Sequence, residues 1–181
     1  QLLAVSVPPA LHLLYAHGIA LEAHAQNMLL LHRDGLPRRV AFRDFHDGVR
    51  FAPAHLTQAA PPLYGTPSHH LRVNQNSFIE TDDPARVRDF FHDAFFFINL
   101  GELALFLADR FGLEEVRFWA QVRRVILDYQ ARFPELRERF ALFDLCAPHI
   151  AVEQLAKRRL YPDDALRVHA VPNPLAAGAG Q

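Results

Sequence analysis

From His17 to Asp47 the chain reads His-Gly-Ile-Ala-Leu-Glu-Ala-His-Ala-Gln-Asn, an apolar stretch, an Asp34-Gly35 turn, a second apolar stretch and then Arg43-Asp44-Phe45-His46-Asp47. Glu22, His24, Gln26 and Asn27 stand among Ile19, Leu21, Met28, Leu29, Leu30 and Leu31. Polar groups in apolar surroundings are costly unless they gain partners, and these residue types suit a nucleotide and a metal. A hard cation such as Mg²⁺ takes oxygen ligands and prefers one or two carboxylates completed by phosphate oxygens and water. Glu22, the Asn27 side-chain carbonyl and Asp44 form a candidate ligand set of that kind. An Asn leading into a hairpin and an Asp leaving it can face each other at the same end of that hairpin.

The order of these residues is similar to that of kinase-like phosphotransferases, which place an Asn and an Asp-Phe pair around Mg²⁺ and nucleotide phosphates. Helical geometry constrains the arrangement. In a regular helix over residues 22–27, His24 and Asn27 would be neighbours while Glu22 and Gln26 would pair on another face. Either the helix unwinds near His24, the expectation adopted here, or Glu22 orients a ligand rather than touching the metal.

The surrounding elements are expected to be helix-rich, with one central β-hairpin or small antiparallel sheet, an α+β arrangement. Pro8-Pro9 suits a first helical turn, giving a helix from about residue 9 to about 23. Residues 28–32 and 39–43 flank the Asp34-Gly35 turn as a hairpin. Residues 52–77 carry Pro53, Pro61, Pro62, Gly65 and Pro67 and are expected to be irregular. Asp82-Asp83-Pro84 is a helix-capping signature leading into a strongly apolar helix, or pair of helices, around Gly101. Further helices are expected over residues 114–132 and from Pro134 to Phe143. A last apolar stretch, residues 166–171, is followed by an Ala/Gly-rich tail, residues 176–181, expected to be disordered.

Composition limits what such a site can serve. At 181 residues, half of them hydrophobic, the chain can bury one substantial core. A net charge of −1 argues against general nucleic-acid binding. Lys157 is the sole lysine, an Arg preference read as coding bias. Cys146 stands alone and reads as a small hydrophobe. No apolar run reaches the ~20 residues of a membrane span and no signal peptide is visible, so a soluble, cytoplasmic protein is expected. Gln1-Leu2-Leu3-Ala4-Val5 opens inside an apolar segment without an initiator Met, which suggests a piece of a longer polypeptide. The Phe90, Phe91, Phe95, Phe96 and Phe97 block reads as core or interface. His55, His69 and His70 lack ligand spacing and read as loop histidines. Arg123-Arg124 and Lys157-Arg158-Arg159 read as solvated faces, the latter also a candidate grip for an acidic substrate.

The run Gly18-Ile19-Ala20-Leu21-Glu22-Ala23-His24-Ala25-Gln26-Asn27 resembles the C-terminal half of the NRPS-independent siderophore synthetases, the aerobactin-synthetase-like family. Arg43-Asp44-Phe45 with Gly48-Val49, Phe97-Ile98-Asn99-Leu100 and Val171-Pro172-Asn173-Pro174-Leu175 follow in the same order. The resemblance implies a thumb, fingers and palm fold, of which residues 1–175 would supply most of the palm. It implies ATP and Mg²⁺ as cofactors: a carboxylate of citrate or a related polycarboxylate is adenylated, and an amine or hydroxylamine then displaces AMP to form an amide. Glu22, Asn27 and Asp44 would hold Mg²⁺ and ATP phosphates, and His24 and Gln26 would contact nucleotide or acyl-adenylate. His24 and Arg43 would be the catalytic residues, Arg43 pairing with phosphate or the substrate carboxylate. The family's upstream Ser/Arg/Thr-containing phosphate segment has no counterpart in residues 1–14. The missing N-terminal part of the same protein is therefore an expected partner, and this piece alone is expected to be a poor catalyst or none. Neither nucleic acid nor membrane is an expected partner, and a homodimer stays open. Two other readings compete: a non-catalytic iron- or siderophore-related binding domain, and a kinase-like phosphotransferase fragment.

Overall fold

The computed structural model describes residues 1–45, 48–60, 79–161 and 167–176. His46, Asp47, His69, His70 and the tail beyond Ala176 lie outside these residues. The chain opens with helix α1, Leu2–His12, continued by a wider π turn, Leu13–His17. The helix expected over residues 9–23 is thus displaced. Pro8 and Pro9 lie inside α1, where each removes a backbone donor. Tertiary packing offsets that loss, because Val7, Ala10, Leu11 and Leu14 are fully buried and α1 lies against a later helix, α4, Glu115–Arg132. The helix stops at Gly18, whose φ is +79° and whose N–H donates to Leu14 O at 2.9 Å. A Cβ there would lie 2.4 Å from His55 O, so only glycine fits. The following residues pair in sheet instead: β1, Ile19–Leu21, runs antiparallel to β4, Val49–Phe51.

The expected hairpin is present as β2, Met28–Arg33, and β3, Leu36–Phe42. Asp34 and Gly35 both have positive φ, 52° and 75°, the backbone of a two-residue hairpin turn. Leu29, Leu30 and Leu31 are 40–50% exposed, so the ribbon stands out from the core. A short 3-10 turn, Pro53–His55, begins the expected irregular segment, of which residues 61–78 lie outside the described part.

Asp83 caps helix α2, Pro84–Phe91, its carboxylate accepting from Ala85 N at 2.9 Å. Where one helix or a pair was expected, the chain continues without a break through a π segment, His92–Gly101, into α3, Glu102–Phe111. The buried residues explain the widening. Val87, Phe91, Phe95, Leu100 and Ala104 recur every four or five positions, with Phe96 buried beside Phe95, a spacing that the wider i→i+5 turn keeps on one face. By length and composition Pro84–Phe111 could cross a membrane. Here its apolar face instead joins α1 and α4 in the core. α4 buries Phe118, Trp119, Val122, Ile126 and Tyr129, and α5, Arg137–Leu142, follows the 3-10 turn at Pro134.

Two elements were not anticipated: β5, His149–Glu153, and α6, Leu155–Leu160. β5 pairs with β6, Val168–Pro172, which overlaps the last apolar stretch and runs one residue past it. The fold is therefore α+β, helix-rich with small antiparallel sheets; among the described residues the strands form three two-stranded ribbons, one of them the expected hairpin.

The C-terminal segment is fastened by Asn173, which is 2% exposed. Its Nδ2 donates to Leu145 O and Ala147 O at 2.9 and 2.7 Å, and its Oδ1 accepts from Leu175 N at 2.9 Å. Oδ1 also meets His92 Nε2 at 3.0 Å. With the amide orientation set by Leu175 N–H, His92 Nε2 must carry the proton.

Burial moves the His92 pKa down to about 4, against the hydrogen bond to Asn173. An unfolded chain takes up that proton below about pH 6.5, so this group removes stability as pH falls toward 4. Next to it, burial, then Glu153 and Asp89, raise the Asp93 pKa from 3.8 to about 6. Folding therefore retains a proton there that the unfolded chain releases, and this group removes stability as pH rises from about 4 to 6. The two effects oppose each other over most of one window. Asp93→Asn is expected to raise stability at pH 7 by about 1 kcal/mol, after discounting for solvent screening. The gain should vanish by pH 4, exposing the acid sensitivity of His92 as a steeper fall in urea midpoint between pH 6.5 and 4. Parallel midpoint curves for variant and parent would contradict this.

Candidate functional site

The Gly18 break places residues 22–27 in a tight non-helical loop between β1 and β2. The helical pairing that would have split Glu22 and Gln26 from His24 and Asn27 does not arise. Glu22 N donates to Gly48 O at 2.8 Å, so one side of the loop is held by the segment leading into β4. His24 O accepts from Asn27 N at 3.0 Å and Met28 N at 3.1 Å, closing the turn. On the other strand, Arg43 N donates to Asn27 O at 3.0 Å, extending the hairpin ladder one rung past Met28–Phe42. Asp44 follows directly.

Asn27 is 4% exposed. Its Nδ2 donates to Glu22 O at 3.1 Å, while its Oδ1 is buried without a hydrogen-bond partner. A buried amide oxygen left unpaired is costly, and a cation or donor supplied by a ligand would satisfy it. Asp44 has φ +66°, a left-handed conformation uncommon outside glycine and tolerated by Asp and Asn. A Cβ on Gly48 would lie 2.4 Å from Asp44 O and 3.5 Å from Glu22 Cβ. That approach brings the Glu22 and Asp44 segments side by side, and it requires glycine between them.

His24 and Glu22 form a polar pair. Gln26 N donates to His24 Nδ1 at 3.2 Å, which leaves the ring proton on Nε2, 3.9 Å from Glu22 Oε2. Both side chains are partly exposed, so the pair orients the ring more than it stabilises the fold. Gln26 itself is exposed. Arg43 Nε donates to Gln26 O at 3.1 Å, so the expected anion-pairing arginine also ties the turn. Asn99, from the π segment, donates through Nδ2 to Ala23 O at 2.8 Å. In sequence it stands within Phe97-Ile98-Asn99-Leu100 as a lone amide in an apolar helix, which needs a partner.

The donor set fits a hard cation that is held jointly with phosphates. Among the described residues no group of three His, Cys, Asp or Glu could hold a metal ion. Two carboxylates, Glu22 and Asp44, and an orphaned amide oxygen match the sparse protein ligation of Mg²⁺ bound through nucleotide phosphates. Elsewhere, Lys157 and Arg159 are exposed on α6, and Lys157 borders an open cavity of about 460 Å³ with Gln154, Ala156 and His169. Burial raises the Cys146 thiol pKa, in keeping with an unreactive residue.

A family described as "FhuF: Ferric iron reductase FhuF-like transporter" matches residues 1–168. The chain is 53% identical over 180 residues to a 2-[(L-alanin-3-ylcarbamoyl)methyl]-3-(2-aminoethylcarbamoyl)-2-hydroxypropanoate synthase of Staphylococcus aureus, covering 98% of this chain and 29% of that protein. It is 41% identical to a citryl-spermidine/3,4-dihydroxybenzoyl-citryl-spermidine:spermidine ligase of Bacillus anthracis, covering 96% and 29%. The crystal structure of the petrobactin biosynthesis protein AsbB from Bacillus anthracis superposes with a TM-score of 0.84 at 39% identity, covering 96% of this chain and 30% of that one. An ATP-bound aerobactin synthetase IucA from Klebsiella pneumoniae shares the fold, with a TM-score of 0.67 at 17% identity. The chain thus spans under a third of the length of these relatives.

Proposed function

The chain belongs to the FhuF-like family, its relatives are siderophore synthetases, and on that premise we propose that it is the C-terminal, palm-like part of an ATP-dependent carboxylate–amine ligase. The substrates would be citrate or a related polycarboxylate and an amine or hydroxylamine. The observation that carries the reading is the buried, unpartnered Asn27 Oδ1, at the end of a hairpin whose other strand delivers Asp44 and beside a loop that delivers Glu22. In this reading Glu22, Asn27 and Asp44 hold Mg²⁺ with the ATP phosphates. The cation supplies charge neutralisation as pyrophosphate departs.

The remaining residues position and neutralise. A substrate carboxylate oxygen attacks the α-phosphorus, the bond to pyrophosphate breaks, and the amine nitrogen then attacks the acyl carbon, releasing AMP and a proton. His24, with its proton on Nε2, donates a hydrogen bond to a phosphoryl oxygen. Arg43, its Nε already fixed on Gln26 O, offers its terminal nitrogens to phosphate or to the carboxylate. Gln26 contacts the nucleotide. Fixed donors of this kind stabilise developing charge without reorganising. The rest of the longer protein supplies further phosphate contacts, and a cytoplasmic location belongs to the same proposal.

The deciding experiment incubates the full-length protein with labelled ATP, Mg²⁺ and citrate. Carboxylate-dependent pyrophosphate exchange with AMP formed on adding amine is expected. ADP as the product would establish phosphotransfer instead, and absence of nucleotide binding would leave a binding domain.

A further inference from the structure

We propose that Asn99 is a positioning residue, which holds the loop of residues 22–27 in the one conformation that presents Glu22, His24 and Asn27 together. The inference rests on the ligase reading for what the loop does, and on geometry alone for the tether. Three consecutive carbonyls run along this loop. Glu22 O is taken by Asn27 Nδ2 at 3.1 Å, and His24 O by the Asn27 and Met28 amides at 3.0 and 3.1 Å, all from the loop or the residue that directly follows it. Ala23 O, between them, is bonded from 76 residues away by Asn99 Nδ2 at 2.8 Å, the shortest of the set.

Ala23 is fully buried, so water does not readily replace that donor. Asn99 Nδ2 also contacts Met28 Sδ at 3.8 Å, at the first residue of β2. One amide therefore ties both the loop and the start of the hairpin to the core helix. Its neighbours Phe96, Phe97, Ile98 and Leu100 are apolar, and an amide is costly to place there without a specific bond to make. Gly48 fixes the loop at Glu22 N from the strand side, and Asn99 fixes it at Ala23 O from the helix side. Those two anchors fix the backbone from which the Glu22 side chain projects.

The test uses the full-length protein with Asn99→Asp, Asn99→Ala and Asn99→Gln. Asp keeps the shape but loses the donor and sets a carboxylate against the Ala23 carbonyl; Gln keeps the amide. In the metal-free, nucleotide-free protein, hydrogen-exchange protection of the Asn27 and Met28 amides should fall about five- to ten-fold in the Asp and Ala variants and recover partly with Gln. The Mg²⁺·ATP concentration giving half-maximal pyrophosphate exchange should rise on the order of 10- to 100-fold, alongside a modest fall in unfolding midpoint from the unpaired Ala23 carbonyl. Parental protection in the Asp and Ala variants overturns the tether whatever the activity. Lost protection with parental Mg²⁺·ATP saturation overturns the positioning role. A parent protein that shows no exchange at all overturns the ligase reading, and the protection data then decide the tether by themselves.

Discussion

Asp44→Asn in the full-length protein is expected to lower carboxylate-dependent pyrophosphate exchange by on the order of 10²–10³, or about 3–4 kcal/mol of lost charge stabilisation. The substitution isolates charge from shape. Asp44 sits at φ +66°, a conformation that Asn adopts about as readily, so no backbone strain is introduced. The residue is exposed and follows the last hairpin rung, so the core and the β2–β3 register are untouched. Folding, read by circular dichroism and unfolding midpoint, should change little. A variant that turns over like the parent would remove Asp44 from the metal site and, with it, the assignment of Glu22 and Asn27 as its companions.

The largest effect on stability is expected at Asn173. Its amide uses both donors and both acceptor positions, on Leu145 O, Ala147 O, Leu175 N and His92 Nε2. Asn173→Ala strands several buried polar groups at about 1–3 kcal/mol each, and a net loss of about 3–5 kcal/mol follows. For a chain of this size that is a fall in Tm of about 10 °C, readable through Trp119 fluorescence. Replacing both partners, His92→Leu with Asn173→Leu, should recover part of the loss, because a buried polar group is removed along with its partner. A loss below about 1 kcal/mol in Asn173→Ala would show that the C-terminal segment is held by the β5–β6 ribbon and the buried Leu175 instead.

Residue-by-residue signals carried well where one local rule was enough. Asp34-Gly35 marks its hairpin because that turn needs left-handed backbone at both positions. Asp83-Pro84 marks the start of α2 because the carboxylate caps a free amide. The residue types of the candidate site were legible for the same reason: Glu, His, Asn and Asp have no cheap role among leucines. Local rules failed wherever a distant element made the decision. Pro8-Pro9 suggests a helix start, yet burial of Val7, Ala10 and Leu11 against α4 carries α1 through both prolines. Nothing near Ile19 announces a strand whose partner lies some thirty residues on, and β5 shows no pattern apart from β6.

The types of chemistry available, the hairpin that carries Asn27 and Asp44, and the apolar faces of the long helices are written in the order of residues, because each depends on neighbours within a few positions. Which groups meet was settled only by the folded chain. Gly48 is needed because a side chain there would meet both the Asp44 and the Glu22 segments, and Ala23 O needs Asn99 because packing removes Ala23 from water. Contacts between distant residues depend on how buried faces fit together, and that fit is a property of the whole core rather than of any stretch of it.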